Sequence, residues 1–200
     1  MHHIRFHRLA HRPKVRQLVT RATRLALTIS VAAATYFLMG CSDKGDSGGS
    51  SAPAAEYVLG TPVRFGTDGN SRGYQVAGWS SPEPGHTWTD GSAAVLRFNL
   101  KTKDGALLLR VRMSGLTKAP DLPFQPVEVK VNGVHVTDWQ VAGESDYSAT
   151  IPAEAAKKEE VMTVQFTIPK ATSPSALGTG ADDRTLGLNV ALLTISAAPH

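Results

Sequence analysis

The residues best suited to chemistry in this chain are concentrated in the segment 78–91. Two of the three tryptophans, Trp79 and Trp88, lie in it. The same segment carries three polar side chains: Glu83, His86 and Asp90. Indole rings can stack on flat ligands, whereas carboxylates and an imidazole can bind hydroxyl groups or transfer protons. Both ligand binding and acid–base catalysis therefore need to be considered for this segment.

Glu83 and Asp183 are the carboxylates to test for glycoside hydrolysis. That reaction requires two carboxylates at a separation of roughly 5–9 Å, which sequence spacing does not establish. Arg184 directly follows Asp183 and favours its ionised form, which is the wrong state for a general acid. We therefore predict no catalytic residue. Glu83 and Arg184 are expected to form a buried structural ion pair between distant segments.

Metal and cofactor sites have little support in the sequence. His86 and His135 are too few and too far apart to indicate a transition-metal site. Asp182 and Asp183 could contribute to a Ca²⁺ site, but Ca²⁺ takes six to eight oxygen ligands and the sequence shows too few. The chain has no Gly-rich phosphate loop and no nucleotide-binding fingerprint. We predict neither a metal nor a cofactor.

The three tryptophans differ in their surroundings. Trp79 follows a strand-like run and is expected in the core. Trp88 lies in a Gly- and Pro-rich stretch that favours an exposed loop. Its ring either stacks on a sugar from that loop or, alternatively, packs in the core. Trp139 follows a hairpin and is either a ligand-binding rim residue or a plug on an edge strand. The candidate ligand-binding residues are Trp88, His86, Asp90 and Trp139; those expected to be structural are Trp79, Glu83, Asp183 and Arg184.

The N-terminal region has the pattern of an export signal. Seven basic residues and no acidic one precede position 25, and an apolar run follows from Leu25 to Leu38. That run is shorter than the about 20 residues that span a bilayer. The stretch 38–41 resembles the lipobox of bacterial lipoproteins, which implies that Cys41, the only cysteine, is acylated. We predict a lipoprotein signal peptide at 1–40, a flexible tether at 41–55 and one domain at 56–200.

The predicted export determines where the mature protein lies and which charges it keeps. Lipid attachment at Cys41 would anchor the protein to a membrane of the bacterial cell envelope. Ser42 after the cysteine favours, by resemblance to Gram-negative lipoproteins, the outer membrane facing the periplasm. Of the 21 Lys and Arg and 17 Asp and Glu, seven basic residues precede Cys41, so 14 basic and 17 acidic groups remain, a formal charge of −3. This balance excludes the reading of a nucleic-acid-binding protein.

The domain is predicted to be all-β, because apolar and polar residues alternate in short runs separated by Gly, Pro, Asn and Asp. The predicted strands are 94–100, 107–113, 127–131, 134–136, 161–168 and 186–195, in a total of about nine. Asn132-Gly133 predicts a tight hairpin. Only 152–160 looks helical, for a turn or two. A jelly-roll-like antiparallel β-sandwich is the expected fold.

Several short motifs occur in an order that resembles a known kind of bacterial domain. They are Gly78-Trp79-Ser80, then Glu83, Gly85-x-Thr87-Trp88-Thr89-Asp90-Gly91, Val129-x-Val131-Asn132-Gly133, and Ser173-Pro174 followed by Asp182-Asp183-Arg184-x-Leu186-Gly187. Together they look like the carbohydrate-binding-module-like β-sandwich found beside glycosyltransferases and other envelope polysaccharide proteins. The resemblance implies a jelly-roll fold, a carbohydrate or polysaccharide ligand and contact with envelope polysaccharide machinery. A structural or adaptor lipoprotein that makes only protein contacts is the alternative.

Overall fold

The computed structural model describes residues 54–101 and 104–199 of the chain. These residues form two β-sheets and three short helical segments. The strands are β1 (Glu56–Tyr57), β2 (Val63–Arg64), β3 (Gln75–Ala77), β4 (Thr87–Asp90), β5 (Ala93–Leu100), β6 (Leu107–Gly115), β7 (Gln125–Val131), β8 (Val134–Val141), β9 (Ser145–Ile151), β10 (Met162–Thr167) and β11 (Leu186–Ala197). The helical segments are a 3₁₀ turn (Ser71–Gly73), α1 (Ala153–Lys157) and α2 (Pro174–Leu177).

The strand order confirms the predicted sandwich. One sheet has six strands in the order β1-β5-β10-β7-β8, with β3 also pairing with β5; the other has five in the order β2-β11-β6-β9, with β4 also pairing with β11. Apart from β1, which runs parallel to β5, the paired strands are antiparallel. Every connection between successive strands except the β7–β8 hairpin crosses from one sheet to the other. This crossing pattern produces a jelly-roll-like all-β sandwich.

The core lies between the two sheets, because each strand turns every second side chain inward. Phe98 and Phe166 of the six-stranded sheet and Leu109 and Leu193 of the five-stranded sheet are fully buried. Burying a side chain of this kind contributes about 1.5–3 kcal/mol. The small residues of α1 cover one margin of this core, since Ala155 and Ala156 have no exposed surface.

The predicted hairpin at Asn132-Gly133 is confirmed. Both residues have positive φ, 49° and 76°, as a two-residue turn of this type requires. The Asn132 side chain is also buried: Nδ2 donates to the carbonyl of Ala155 at 2.8 Å, and Oδ1 accepts from the Thr163 backbone N–H at 2.7 Å. The turn therefore ties the β7–β8 hairpin to β10 and α1.

The sequence-based strand assignment was wrong in three places. The stretch around Trp88, predicted as an exposed loop, is strand β4, because its backbone pairs with β11. Strand β9 was not predicted, since its run of Ser, Asp, Tyr and Thr has little apolar alternation. Strand β8 is longer than the predicted 134–136, because it continues to pair with β7 as far as Val141. No helix in the described part of the chain is long and apolar enough to cross a membrane.

Candidate functional site

Trp88 projects from the outer face of the five-stranded sheet. Its neighbours along β4, Thr87 and Thr89, are fully buried and hydrogen-bonded inside the domain. The Thr87 hydroxyl donates to the carbonyl of Phe65 at 3.3 Å, and the Thr89 hydroxyl accepts from the N–H of Leu188 at 2.9 Å. Because side chains alternate along a strand, Trp88 points to the opposite side, away from the core.

The surroundings of Trp88 are polar. Asn189 lies directly opposite it on β11, and Ser114 lies opposite Asn189 on β6. All three side chains are partly exposed. The indole N–H of Trp88 has no hydrogen-bond partner among the described residues. The row therefore offers one aromatic ring, one amide and one hydroxyl to a ligand.

A tight loop holds His86 beside Trp88. The backbone N–H of Glu83 donates to the carbonyl of His86 at 2.9 Å, and that of His86 donates back at 3.2 Å, with Gly85 between them at φ 82°. The His86 Nε2 lies 3.3 Å from Oε2 of Glu83. The imidazole meets the Trp88 ring edge-on with ring centroids 6.2 Å apart. The backbone of the loop thus fixes an imidazole next to the exposed indole.

Arg184 connects this loop to the start of β11. Its Nη1 and Nη2 each donate to Oε1 of Glu83 at 3.2 Å, and its Nε donates to Oδ2 of Asp182 at 3.0 Å. The hydrogen bonds from Arg184 lower the pKa of Asp182 below its ordinary value, and they raise that of Arg184. The predicted pairing of Glu83 with Arg184 is present, but the prediction that it is buried was wrong, since 37% and 38% of these side chains remain exposed.

Asp183 does not join this ion pair. Its carboxylate accepts a hydrogen bond from the hydroxyl of Ser175 in α2. Arg184 instead reaches back to Asp182, whose carboxylate also accepts from the Arg184 backbone N–H at 2.9 Å. Glu83 is held by Arg184 and lies beside His86, and Asp183 is held by a hydroxyl, so each carboxylate has a structural partner.

Asp90 lies at the end of β4, two residues beyond Trp88, and is exposed. Its carboxylate accepts from the backbone N–H of Thr185 at 3.2 Å, and its own N–H donates to the carbonyl of Gly78 at 2.9 Å. These bonds connect the end of β4 to the segments before β4 and β11. Asp90 is therefore a structural residue at the margin of the Trp88 surface, with part of its carboxylate open to solvent.

The other two tryptophans pack against the core, Trp79 from a partly buried position and Trp139 from a buried one. Trp79 packs against Phe65 with ring centroids 5.1 Å apart, and its indole N–H donates to the carbonyl of Val95 at 3.0 Å. Trp139 is only 9% exposed and lies against Tyr147 and Phe166. Of its two predicted roles, the plug on an edge strand fits this burial, because the pairing of β8 with β7 turns the ring toward the core; the residue also lines a depression on the outer face of the six-stranded sheet. Trp139 plugs the core from an edge strand.

A depression of about 380 Å³ lies on the same outer face as Trp88. Its lining includes Arg64, Asp68, Gly85, Arg112 and Leu192. Sequence reasoning missed Arg64, since the two-residue strand that carries it has no alternation to detect. Arg110 and Arg112 fall within the predicted strand 107–113, but sequence reasoning assigned no role to either arginine.

A second depression, of about 360 Å³, lies on the outer face of the six-stranded sheet. Glu128 and Asp138 stand opposite each other there, on β7 and β8. Each carboxylate has a partner: Lys130 Nζ lies 2.9 Å from Oε2 of Glu128, and His135 Nε2 lies 3.1 Å from Oδ2 of Asp138. Both carboxylates of this surface are therefore partnered, and the rest of its lining includes Phe124, Pro126 and Trp139.

The structure adds no metal centre to these surfaces. Within residues 54–101 and 104–199, no group of three or more His, Cys, Asp and Glu side chains is placed to hold a metal ion. The predicted lipid attachment site, Cys41, and the predicted signal peptide lie outside the described residues.

The sequence matches no family model, and no curated protein is similar to it. The structure is similar to the CBM36-1 domain of a multidomain xylanase from the hindgut metagenome of Trinervitermes trinervoides, with a TM-score of 0.39, 13% identity, and coverage of 70% of this chain and 98% of that chain. It is also similar to a family 6 carbohydrate-binding module from Clostridium cellulolyticum solved with xylose (TM-score 0.40, 14% identity, 68% and 96% coverage). A third similar structure is CsCBM6-3 from Clostridium stercorarium, solved with cellobiose (TM-score 0.38, 13% identity, 69% and 94% coverage). At these identities and TM-scores the similarities carry no argument about function, and the sandwich is established by the strand pairing described above.

Proposed function

We propose that this protein is a non-catalytic module of the bacterial cell envelope that binds a carbohydrate or polysaccharide through the outer face of the five-stranded sheet. One observation carries the proposal: Trp88 is turned out of the domain, whereas Trp79 and Trp139 are packed against the core. A large aromatic ring held outward by a rigid strand is suited to stacking on the apolar face of a pyranose ring.

The neighbours of Trp88 supply the polar contacts that sugar recognition requires. Asn189 can donate and accept hydrogen bonds, and Ser114 offers a hydroxyl. The Trp88 ring is supported edge-on by His86, whose position follows from the backbone bonds of the 83–86 loop. A preformed surface of this kind binds with little loss of side-chain freedom.

The proposal includes lipid attachment at Cys41, with the protein on the outer membrane facing the periplasm. The described chain enters the domain beside the end of β5, where the N–H of Asn99 donates to the carbonyl of Ala55 at 3.0 Å. Trp88 lies toward the other end of β5, which is about 23 Å long at 3.3 Å per residue. The Trp88 surface is therefore separated along β5 from the point at which the proposed anchor would join the domain.

A second candidate is an adaptor that binds another protein of the envelope polysaccharide machinery. Val58 and Val76 favour it, because both are large apolar residues with 66% and 55% of their surface exposed. Val76 lies in β3 and Val58 directly follows β1, and both of these strands pair with β5 at one margin of the six-stranded sheet. Exposed apolar residues beside a sheet edge are suited to contact with a partner chain.

A glycan array probed with the full chain in an uncharged detergent tests the carbohydrate proposal. We expect wild-type protein to bind at least one envelope polysaccharide and the Trp88→Ala variant to lose that signal. The control is Val76→Ala, which removes an exposed apolar side chain from the other sheet and should leave binding unchanged. Absence of any glycan binding, together with loss of a protein partner in Val76→Ala, would support the adaptor instead.

A further inference from the structure

We propose that the ligand of the Trp88 surface is an acidic polysaccharide and that Arg64 and Arg110 bind its carboxylates, beside Arg112, which Asp146 holds. This inference rests on the proposed carbohydrate function and specifies the chemical class of the sugar. The observation behind it is that three arginines, one on β2 and two on β6, share the outer face of the five-stranded sheet with Trp88.

The strand register brings two of these arginines to either side of one apolar residue. Leu192 of β11 pairs with Arg64 of β2 on one side and with Arg112 of β6 on the other. Their Cα atoms are therefore two strand spacings apart, about 10 Å. Arg64, Leu192 and Arg112 all line the 380 Å³ depression, so the exposed guanidinium of Arg64 can reach a ligand group that lies over Leu192.

The arginines differ in the contacts that their guanidinium groups make within the protein. Arg112 is held by Asp146: Nε donates to Oδ1 at 2.9 Å and Nη2 to Oδ2 at 3.0 Å. In contrast, the guanidinium groups of Arg64 and Arg110 have no hydrogen bond or ion pair with any residue of the described part of the chain. Both side chains are exposed. Arg64 and Arg110 are therefore available to an anionic ligand.

Acidic residues also lie on this surface. Asp146 neutralises Arg112, and the hydrogen bonds from Arg112, with a smaller attraction from Arg110, lower the pKa of Asp146. Asp68 lies on the rim of the depression and can accept hydrogen bonds from sugar hydroxyls. Arg64 and Arg110 are therefore the two arginines of this surface without an ion pair among the described residues, and Asp68 is an acidic group without one.

The shape of the site favours a polysaccharide over a flat anionic surface. Arg64 lies in a recess whose walls are fixed by backbone contacts, since the N–H of Thr67 donates to the carbonyl of Glu83 at 3.2 Å. The same 83–86 loop carries His86 to the edge of Trp88. Trp88 pairs with Asn189 of β11, and Arg64 pairs with Leu192 of the same strand. Asn189 and Leu192 are three positions apart, so Trp88 and Arg64 are separated by about 10 Å along the strand direction. A polymer chain can therefore stack one sugar on Trp88 and present the carboxylate of a nearby sugar to the arginines.

The experiment compares acidic polysaccharides with their own neutral derivatives. Polygalacturonate, alginate and hyaluronate are each tested beside the carboxyl-reduced form of the same polymer, using the full chain in an uncharged detergent at low ionic strength. We expect at least one acid to bind roughly tenfold more tightly than its reduced form, because charge-assisted bonds to guanidinium are strong. Added salt should weaken this binding.

The variants assign the effect to individual residues. Arg64→Ala and Arg110→Ala should each weaken binding of the acid by about three- to tenfold and leave binding of the reduced polymer unchanged. Asp146→Asn should strengthen binding of the acid, since it frees Arg112. Arg97→Ala, on the outer face of the other sheet, is the matched control and should change neither. Thermal melts of all four variants check that the substitutions leave the fold intact.

The possible outcomes separate this inference from the function on which it rests. If acid and reduced polymers bind equally and Trp88→Ala abolishes both, the carbohydrate function stands and the acidic specificity is wrong. If no polymer binds in either form, both fail. Vesicles containing phosphatidylglycerol form the last arm: binding to them that depends on Arg64 and Arg110, without binding to any acidic polymer, would replace the polysaccharide with a membrane surface.

Discussion

Arg184 places two guanidinium nitrogens 3.2 Å from one carboxylate oxygen of Glu83, although 101 positions separate the two residues in the chain. The pair joins the loop before β4 to the segment before β11, and β4 and β11 are themselves paired. It therefore supports the loop that carries His86 to the edge of Trp88. Because both side chains are more than a third exposed, at 37% and 38%, solvent screens the interaction.

The first prediction concerns the stability that this pair contributes. Glu83→Gln should lower the free energy of unfolding by no more than about 1 kcal/mol, as is usual for an exposed ion pair. Chemical denaturation of the variant measures the change, with Glu56→Gln, which disrupts the exposed pair with Lys101, as the control. A loss of about 3 kcal/mol or more would mean that the pair behaves as a buried one.

The second prediction concerns pH. Because Arg184 lowers the pKa of Asp182 in the folded protein, the contribution of Asp182 to stability is present above its unfolded pKa of about 3.9 and is lost as pH falls through the lower folded pKa. Arg184→Gln should remove this contribution, so its stability should approach that of the wild type below about pH 4. Denaturation midpoints measured between neutral and acidic pH test the convergence. A constant difference at every pH would contradict it.

The third prediction separates the two tryptophans of the 78–91 segment. Trp88→Ala should leave the melting temperature almost unchanged and weaken polysaccharide binding roughly tenfold or more, on the order of the 1–3 kcal/mol measured for a stacking aromatic. Trp79→Ala should destabilise the domain by about 2–4 kcal/mol, because it opens a cavity beside Phe65 and leaves the carbonyl of Val95 without its donor. Calorimetric melts and binding titrations of both variants decide the assignment. Unfolding caused by Trp88→Ala would show that its ring is structural.

The fourth prediction concerns the hairpin between β7 and β8. Asn132→Ala should lower the free energy of unfolding by about 2–4 kcal/mol, because it removes two buried hydrogen bonds. It also places alanine at a φ of 49°, a conformation that Asn tolerates through its local hydrogen bonds and alanine does not. Gly133→Ala is the comparison: its φ of 76° makes it strained, but only Lys158 Nζ, at 3.8 Å, lies near the added Cβ. We therefore expect the Asn132 variant to be the less stable of the two. The reverse order in thermal melts would contradict the role given to the Asn132 side chain.

The fifth prediction tests the anchor. Cys41→Ala should prevent incorporation of labelled palmitate and leave the precursor unprocessed or mislocalised, because the cysteine is the proposed acceptor of the acyl chains. Fractionation of the wild type should place the protein in the outer membrane. Equal labelling of wild type and variant would remove Cys41 as the attachment site, and retention of the wild type in the inner membrane would overturn the proposed location.

The sequence by itself determined the class of fold and its most local features. Alternating runs such as Val127–Val131 predicted strands, because only a period of two puts one face of a strand in the core. Asn132-Gly133 predicted its turn, because both positions need positive φ. The expectation of Trp79 as a core residue also follows from local pattern. These features depend on residues that are neighbours in the chain, so the amino-acid sequence is enough to predict them.

What only the tertiary structure decided is which distant residues share a surface. Trp88 was expected in a loop, but pairing with β11 makes it part of a strand and places it in one row with Asn189 and Ser114. Trp139 is directed inward by the pairing of β8 with β7. Arg64 and Arg112, 48 positions apart, meet across Leu192 because β11 pairs with both of their strands. Long-range strand register sets these arrangements, and no local periodicity in the chain encodes it.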